Sequence, residues 1–549
     1  MGDFIREGAV ILSLFNKKKR SPQAKGYSDA GASIARRALK SFLAQSGSPN
    51  EDIDWNNATL RQRGRMLYMA SPVATSAIKS VRTKAVGIGL VLKSAIDRDV
   101  LGVSQEYANN WQKKTAAEFK MWASKKENCD ALGINNFGGM QQLAMISWLM
   151  SGDVFILIKR YEATRNNPYT LRLHIIEADR IGTPNEHKSG ALYVLNTDGV
   201  NKDNKNKIFD GVEVDKNGMV VAYHIRDTYP NEFTAADTKW TRVKAYGEKT
   251  GLPNILHIMS SERPEQYRGV TYLAQVIEPL LQLRRYTESE LMAALIQSFF
   301  SAWIITESDV TELPISEVGT GSIVDMPTEN PNEGSEGISD DDNEYEMGPG
   351  SVMHLAEGED VKFGNPNIPS SGFDQFVRTM CRLVGAALEI PHDVLMKEFN
   401  RSYSASRAAL LELWEAIRMY RKWFVEDFPQ VIYEIFLAEA VAIGRIKAPG
   451  FFLDPLIRDA WCEAQWIGPV QGQIDPAKEV RANIMNVDHA FKTHEQVTVE
   501  SGGGDWEENV EQLKRENEML KDAGGGTVLT SLQDEGDGGG GDGNNTEGE

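Results

Sequence analysis

The chain has 549 residues and a formal net charge of −19, with 41% hydrophobic and 25% charged residues. That is ordinary globular usage, long enough for roughly three or four structural units and a large core, which excludes a fibrous or wholly disordered chain. The acidic balance disfavours a static grip on nucleic acid, and the scattered Cys129, Cys381 and Cys462 exclude a disulfide framework or a clustered zinc site.

Residues 1–50 are polar and rich in small side chains, and read as a flexible arm. Its apolar stretch, Ala9 to Phe15, comes before Lys17, Lys18, Lys19 and Arg20, the reverse of a secretory signal. Met1-Gly2 lacks the Ser or Thr that myristoylation needs, since position 6 is Arg6. The basic cluster could touch nucleic acid; a solvated arm is the plainer reading. Residues 51–150 look helical, with helical spacing over Ala70 to Val91, Gln105 to Trp122 and Phe137 to Met150.

The pattern then changes. Asp153 to Tyr161 is rich in β-branched and aromatic residues, and Thr170 to Ile176 alternates with period two. Gly211 to Ile225 reads as short strands around a turn at Asp215-Lys216-Asn217-Gly218, and Ile255 to Met259 as a further strand. Residues 151–262 are thus expected to be α+β with antiparallel strands.

A long helix is expected from Thr271 to about Ser301, roughly 45 Å of it, with Arg284, Arg285 and Glu288 crowding its middle. Within it, Leu291 to Ile305 is apolar but falls short of the roughly twenty residues a membrane span needs, so burial against protein is the expected reading. Between Glu329 and Glu346 lie eight acids, punctuated by Gly and Pro, expected as a mobile loop in a small β-containing unit. A calcium loop starting at Asp340 would need Gly where Tyr345 stands.

Phe373 to Leu388 reads as helix, and Ser404 to Ala442 as a long helix kinked or broken at Pro429, with Gly444 as its cap. Asp475 to His489 is expected to be helical. Val510, Leu513, Asn517 and Leu520 have heptad spacing, but two heptads suit a lone surface helix better than a coiled coil. The stretch from Ala523 to Glu549 holds ten glycines, six acids and no Lys or Arg, and reads as disordered.

Motifs for chemistry are scarce. The sequence has no phosphate loop, no G-x-S-x-G elbow and no H-E-x-x-H pair. Glu177 and Asp179 could in principle hold a metal for phosphodiester hydrolysis, giving a metal-dependent nuclease as the rival function. With Arg180 beside them on one strand face, a structural ion pair is the plainer reading. His257 reads as a satisfied core residue. Arg263 and Arg268 flank Pro264 and read as interdomain or intersubunit salt-bridging groups, with phosphate binding as the alternative. A second rival is a membrane-inserting pore built on Leu291 to Ile305.

Several runs resemble the lambda-type family of tailed-phage portal proteins: Ser151 to Phe155 (SGDVF), Ile175 to Pro184 (IIEADRIGTP), Arg263 to Val270 (RPEQYRGV), Arg285 to Leu291 (RYTESEL), Phe399 to Leu411 (FNRSYSASRAALL), Ala448 to Pro455 (APGFFLDP) and Asp475 to Glu479 (DPAKE). Gly211 to Asp215, Ala222 to Ile225 and Leu256 to Ile258 add to them, and their order matches over roughly residues 55–490. The resemblance implies a non-enzymatic subunit of a ring of about twelve copies at one vertex of a viral head, without cofactor or metal.

It implies a multidomain α+β portal-type fold. The expected parts are an N-terminal arm 1–50, a wing 51–265, a first stem helix 266–302 and a clip 303–370 containing the acidic loop 329–347. A second stem helix 371–390, a channel loop 391–402, a kinked wing helix 403–445, a crown with C-terminal helices 446–522 and a disordered tail 523–549 complete it. It further implies Lys397, Asn400 and Arg401 as channel-facing residues. Brief phosphate contacts and pairing with Glu389 or Glu398 remain alternatives for Lys397 and Arg401. Arg284, Arg285 and Glu288 are expected on the stem, and Arg263, Arg268 and Trp414 between subunits or domains. The implied partners are other copies of the chain, the terminase large subunit, major capsid and scaffold proteins, a head-completion adaptor and double-stranded DNA passing nonspecifically, with no membrane. The implied location is the virion portal vertex, and the host cytoplasm during assembly.

Overall fold

The α+β character expected from the sequence is present in a computed structural model, which describes residues 37, 39, 46–184, 198–230, 232, 238–298, 302–306, 359–363, 372–398, 403–472, 476–502 and 504–522. The chain divides into two compact units at Asp52, and the sheets and cores lie within residues 53–549. The N-terminal basic cluster, the acidic loop 329–347 and the glycine-rich tail fall outside the described residues.

Helix α1 (Pro49–Ala70) stops one residue before α2 (Pro72–Ala85). Ser71 makes the break: its hydroxyl accepts the Ala74 N–H, and Pro72 takes a first-turn position where no donor is needed. Of the helical spacing read from Ala70 to Val91, α2 takes Pro72–Ala85 and stops short of Val91. Gly87 and Gly89, at φ 62° and 122°, turn the chain out of the helix. The chain then enters strand β1 (Val91–Ser94), paired antiparallel with a distant strand from Val91 opposite Ile467 to Ser94 opposite Ala464.

Helices α3 (Gln105–Ala123) and α4 (Phe137–Ser151) come where the spacing placed them, capped by Ser104 and Asn136. Strands β2 (Asp153–Arg160) and β3 (Leu171–Glu177) come next, then a meander of β4 (Asp198–Val200), β5 (Lys207–Phe209), β6 (Val212–Val214), β7 (Val220–Arg226) and β8 (Trp240–Lys244), and β9 (Ile255–Met259). They form a three-stranded sheet in the order β3-β2-β9 and a five-stranded one in the order β4-β5-β6-β7-β8, antiparallel throughout. In the β6–β7 turn, Asp215 Oδ1 accepts the N–H groups of Asn217 and Met219. Phe155, Ile176, Val212, Tyr223 and Ile225 form a second core that joins the two sheets.

The long helix expected from Thr271 is shorter. Ala274–Val276 is a 3-10 turn, and α5 runs Ile277–Ser298. Strand β10 (Ala302–Thr306) pairs antiparallel with β11 (Glu359–Phe363), Ala302 opposite Phe363 and Thr306 opposite Glu359. The apolar run Leu291 to Ile305 is thus split between a helix end and a strand, and among the described residues no helix is long and apolar enough to cross a membrane. Helix α6 (Phe373–Ala387) returns alongside α5.

Helices α7 (Tyr403–Asp427) and α8 (Pro429–Ala442) replace the single helix expected to Ala442, and the break falls where Pro429 predicts it. Gly444, at φ 76°, ends α8. Helix α9 (Pro455–Cys462) leads into β12 (Ala464–Ile467), the partner of β1. Helices α10 (Pro476–Asp488), α11 (His494–Glu500) and α12 (Trp506–Asp522) complete the chain. Lys93 Nζ holds Glu495 and Asp505, each at 2.6 Å, and Lys113 Nζ holds Glu511 at 2.9 Å, so this C-terminal region is tied to β1 and α3.

The main core gathers Phe119, Trp122, Phe137, Phe428, Tyr433 and Phe436. Rings meet edge-on, as between Phe119 and Phe436 at 5.2 Å. Each such side chain stabilises the fold by roughly 1.5–3 kcal/mol. Burial on several sides holds the nearly all-apolar α8 in place.

Candidate functional site

The acid pair that could have held a metal is answered by arginines. Glu177 closes β3, and Asp179 lies in the 3-10 turn Ala178–Arg180 rather than on the same strand. Asp179 is bound by Arg61 at 3.3 Å and Arg65 at 2.5 Å, and Glu177 lies 3.6 Å from Arg65. The guanidinium groups occupy the side of the carboxylates where a cation would bind. Among the described residues no group of three or more His, Cys, Asp or Glu could hold a metal ion.

Arg61 continues into a larger hub. It reaches Asp210 at 3.3 Å, and Asp210 also meets Arg268 at 2.6 Å. Arg268 is fully buried and donates from Nε to Asp153 at 2.6 Å. Its remaining N–H groups go to the carbonyls of Ala178, Ile181 and Asp210, and its plane lies over the Phe155 ring. Five donors in a planar fork suit this convergence of carbonyls and carboxylates. Burial raises the Asp153 carboxyl, but Arg268 and His257 outweigh it and hold it well below the usual carboxylate range. His257 stacks on Phe155 at 4.2 Å and lies 3.4 Å from Asp153. It is the satisfied core residue expected from the sequence, and burial keeps its pKa below the ordinary histidine value.

The hub fixes the foot of α5. Past Gly269, Tyr272 donates its hydroxyl to the Leu388 carbonyl at the far end of α6. Further along, Tyr286 of α5 packs against Phe373 at 5.6 Å and Phe376 at 4.5 Å. Aromatic contacts therefore clamp the helical pair at one end and a hydrogen bond at the other. Arg284 and Glu288 pair on the exposed face of α5 at 2.8 Å, and Arg285 is exposed beside them. Leu291, Met292 and Leu295 are exposed farther along α5, as are Phe376 and Leu383 on α6, more apolar surface than scattered single residues would give.

Beyond α6 the chain turns at Glu389, in left-handed backbone at φ 52°, into the short helix His392–Leu395. Lys397 comes soon after, at φ 56°, and is exposed. Glu398 pairs with Arg378 at 2.9 Å. Asn400 and Arg401 lie outside the described residues.

Helix α7 has two clefts on separate flanks. One, of about 560 Å³, is lined by Arg382, Glu389, His392, Glu412, Glu415 and Met419. The other, of about 390 Å³, is lined by Arg407, Leu411, Trp414, Arg418, Arg421 and Glu479, among others. Trp414 is buried, with Arg421 at 5.7 Å and Lys84 at 5.9 Å over its ring. Arg421 donates to the carbonyls of Lys84, Ala85 and Pro469. Burial, with Arg418 nearby, lowers its pKa to about 10.

Two of the residues expected between subunits or domains are thus enclosed by their own chain: Arg268 in the hub and Trp414 in the main core. Arg263 is half-buried in the loop capped by Gln266, whose side chain accepts the Arg263 N–H at 3.2 Å. Sequence reading missed Asp153, Asp210 and Arg61 as members of the hub. No spacing could have joined them, since Asp153 and Arg268 stand 115 positions apart; an arginine inside a loop of Gly, Pro and Gln was the one available hint.

Residues 35–421 match the family model described as phage portal protein, lambda family. The chain is 21% identical over 512 residues to portal protein B of Escherichia phage lambda, covering 91% of this chain and 90% of the relative. It is 24% identical over 318 residues to the portal protein of Escherichia phage N15, covering 57% and 59% of the two. A solved structure titled "Virion of native gene transfer agent (GTA) particle" matches 81% of this chain and 92% of its own, at 13% identity and a TM-score of 0.39.

Proposed function

The chain belongs to the lambda family of phage portal proteins, and we propose that about twelve copies close into a ring at one vertex of the viral head. The ring is the channel for DNA entry and exit. It docks the terminase large subunit during packaging and a head-completion adaptor afterwards, and it meets the major capsid and scaffold proteins during assembly in the host cytoplasm. It performs no chemistry of its own; ATP hydrolysis belongs to the motor. The observation that carries this reading is the family match, which runs from residue 35 to residue 421 and takes in the whole α5–α6 pair.

In this reading residues 51–265 form the wing around the buried arginine hub. Helices α5 and α6 are the two stem helices, β10 and β11 root the clip of residues 303–370, and residues 391–402 line the channel. Residues 403–445 return to the wing, and 446–522 form the crown. The exposed apolar residues of α5 and α6 support packing against further copies. A net charge of −19 per chain supports a conduit that holds DNA weakly. Exposed Lys397, with Asn400 and Arg401 after it, makes brief phosphate contacts.

Negative-stain electron microscopy with native mass measurement tests the proposal. Rings of about twelve copies with a central hole are expected. A chain that stays monomeric across concentration, salt and added scaffold protein overturns it.

A further inference from the structure

A closed ring is built from one contact repeated head to tail, so each subunit must carry two different, mutually complementary surfaces. Such a ring therefore asks for a matched pair of patches on this chain, and α7 supplies one. At about 100° per residue, Glu412, Glu415, Met419 and Trp423 fall on one flank, and Arg407, Leu411 and Arg418 on a second flank centred roughly 100° further round the helix.

The first flank opens on the acidic cleft. Glu389, Glu412 and Glu415 are all exposed there, and Arg382 is the basic side chain among them. No ion pair joins these four groups to any described residue. His392 lines the same cleft with its side chain only 9% exposed. Its Nδ1 lies 3.4 Å from Asp393, while Nε2 is buried without a hydrogen-bond partner. A buried ring nitrogen left unsatisfied in an acidic cleft is a cost that an incoming polar group would relieve. The second flank is the more basic one: Arg407, Arg418 and Arg421 line its cleft with Glu479 and Glu500, and Glu500 is already paired with Lys492. Arg418 is exposed without an ion pair to any described residue, close enough to Arg421 to lower its pKa. Each flank also exposes apolar surface, with Met419 and Trp423 37% and 40% exposed on the acidic side and Leu411 47% exposed on the basic side.

We propose that the acidic flank of α7 in one copy receives the basic flank of α7 in the next, Arg418 entering the cleft of Glu412 and Glu415 beside His392. The occupant is a second copy of this chain. The complementarity lies within one sequence, and although Glu415 and Arg418 stand three residues apart on α7, no ion pair joins them within this copy. This rests on the ring reading. It adds which surfaces make the contact and why they are unlike.

The test uses two full-length variants, Glu415→Arg and Arg418→Glu, each first checked for an unchanged thermal unfolding midpoint. Each alone places like charges across every contact, and the concentration needed to form rings should rise at least about tenfold. Mixing them in equal amounts lets copies alternate, so that every contact again joins opposite charges, and rings should return at the wild-type concentration. Rings formed equally well by both single variants overturn the proposal, as does a mixture that assembles no better than its parts. An Arg418→Glu variant that forms normal rings but retains DNA less well assigns the basic flank to DNA and also overturns it. A wild-type chain that never forms rings marks the failure of the ring reading itself.

Discussion

Gly152 and Gly269 press backbone against backbone: a Cβ built on Gly269 would sit 1.9 Å from the Gly152 carbonyl oxygen. Gly152 itself is at φ 92°, and a Cβ there would meet Gly269 at 2.6 Å. The contact lets β2 start beside the loop that carries Arg268, and Asn57 of α1 donates to the Gly269 carbonyl at 2.9 Å. Gly269→Ala should therefore cost more than about 4 kcal/mol or prevent folding. Gly251, at φ 65° with nothing within 4 Å of its would-be Cβ, should tolerate Ala at about 1–2 kcal/mol. Urea titrations of the two variants check this; equal losses would contradict the close contact.

Arg268→Met should destabilise the chain by about 3–5 kcal/mol, because it leaves Asp153 buried and charged without its main partner. Asp153→Asn alone should cost a similar amount. The double variant should cost clearly less than the sum, since the two groups act as one unit. Strict additivity in a double-mutant cycle would mean that the hub is not a coupled network.

Stability should fall as the pH drops from about 7.5 to about 5.5, on either side of the ordinary histidine pKa. His174, His224 and His257 all have lowered pKa values in the fold, in each case with burial as the largest cause. The unfolded chain therefore takes up protons near a pKa of about 6.5 while the folded chain does not. Full stability is present above that value and is lost as the pH falls through it. Asp153, held below its unfolded value, adds a further loss only at pH values below about 4. Asp427, pushed up to about 6 by burial, takes up a proton in the fold at the lower end of this range and offsets part of the loss. The denaturant midpoint should therefore slope downward chiefly above about pH 6.5, and His257→Gln should flatten that slope. A midpoint that rose on acidification would contradict the assignment.

Deleting residues 329–347 should leave ring assembly and unfolding midpoint unchanged, because the pairing of β10 with β11 already closes the excursion at its root. Electron micrographs of the deletion variant decide it. Loss of rings would give the acidic segment a part in assembly.

Regular elements with a strong local period were legible in the sequence. The bounds of α3, α4, β2 and β9, and the break at Pro429, follow from spacing, β-branched runs and the missing proline donor. Strand β1 was hidden because four residues are too few to show a period, and its partner β12 lies about 370 positions away among aromatic residues. The surroundings of Arg268 and Trp414 were not legible either. Both were read as bridging domains or subunits; both are enclosed by their own chain, and their partners were hidden because burial of a charged or large aromatic residue depends on groups brought from elsewhere in the chain.

The β10–β11 ribbon also fixes how a pull would travel through the molecule. Its residues nearest the helices, Ala302 and Phe363, are paired with each other. A force drawing the tips of α5 and α6 apart would load that pair first and then each rung in turn, opening the ribbon like a zip at low force. Resistance to such tension must come from lower down, where Tyr286 sits against Phe373 and Phe376 and Tyr272 is tied to Leu388. The β10–β11 end therefore opens before the base does.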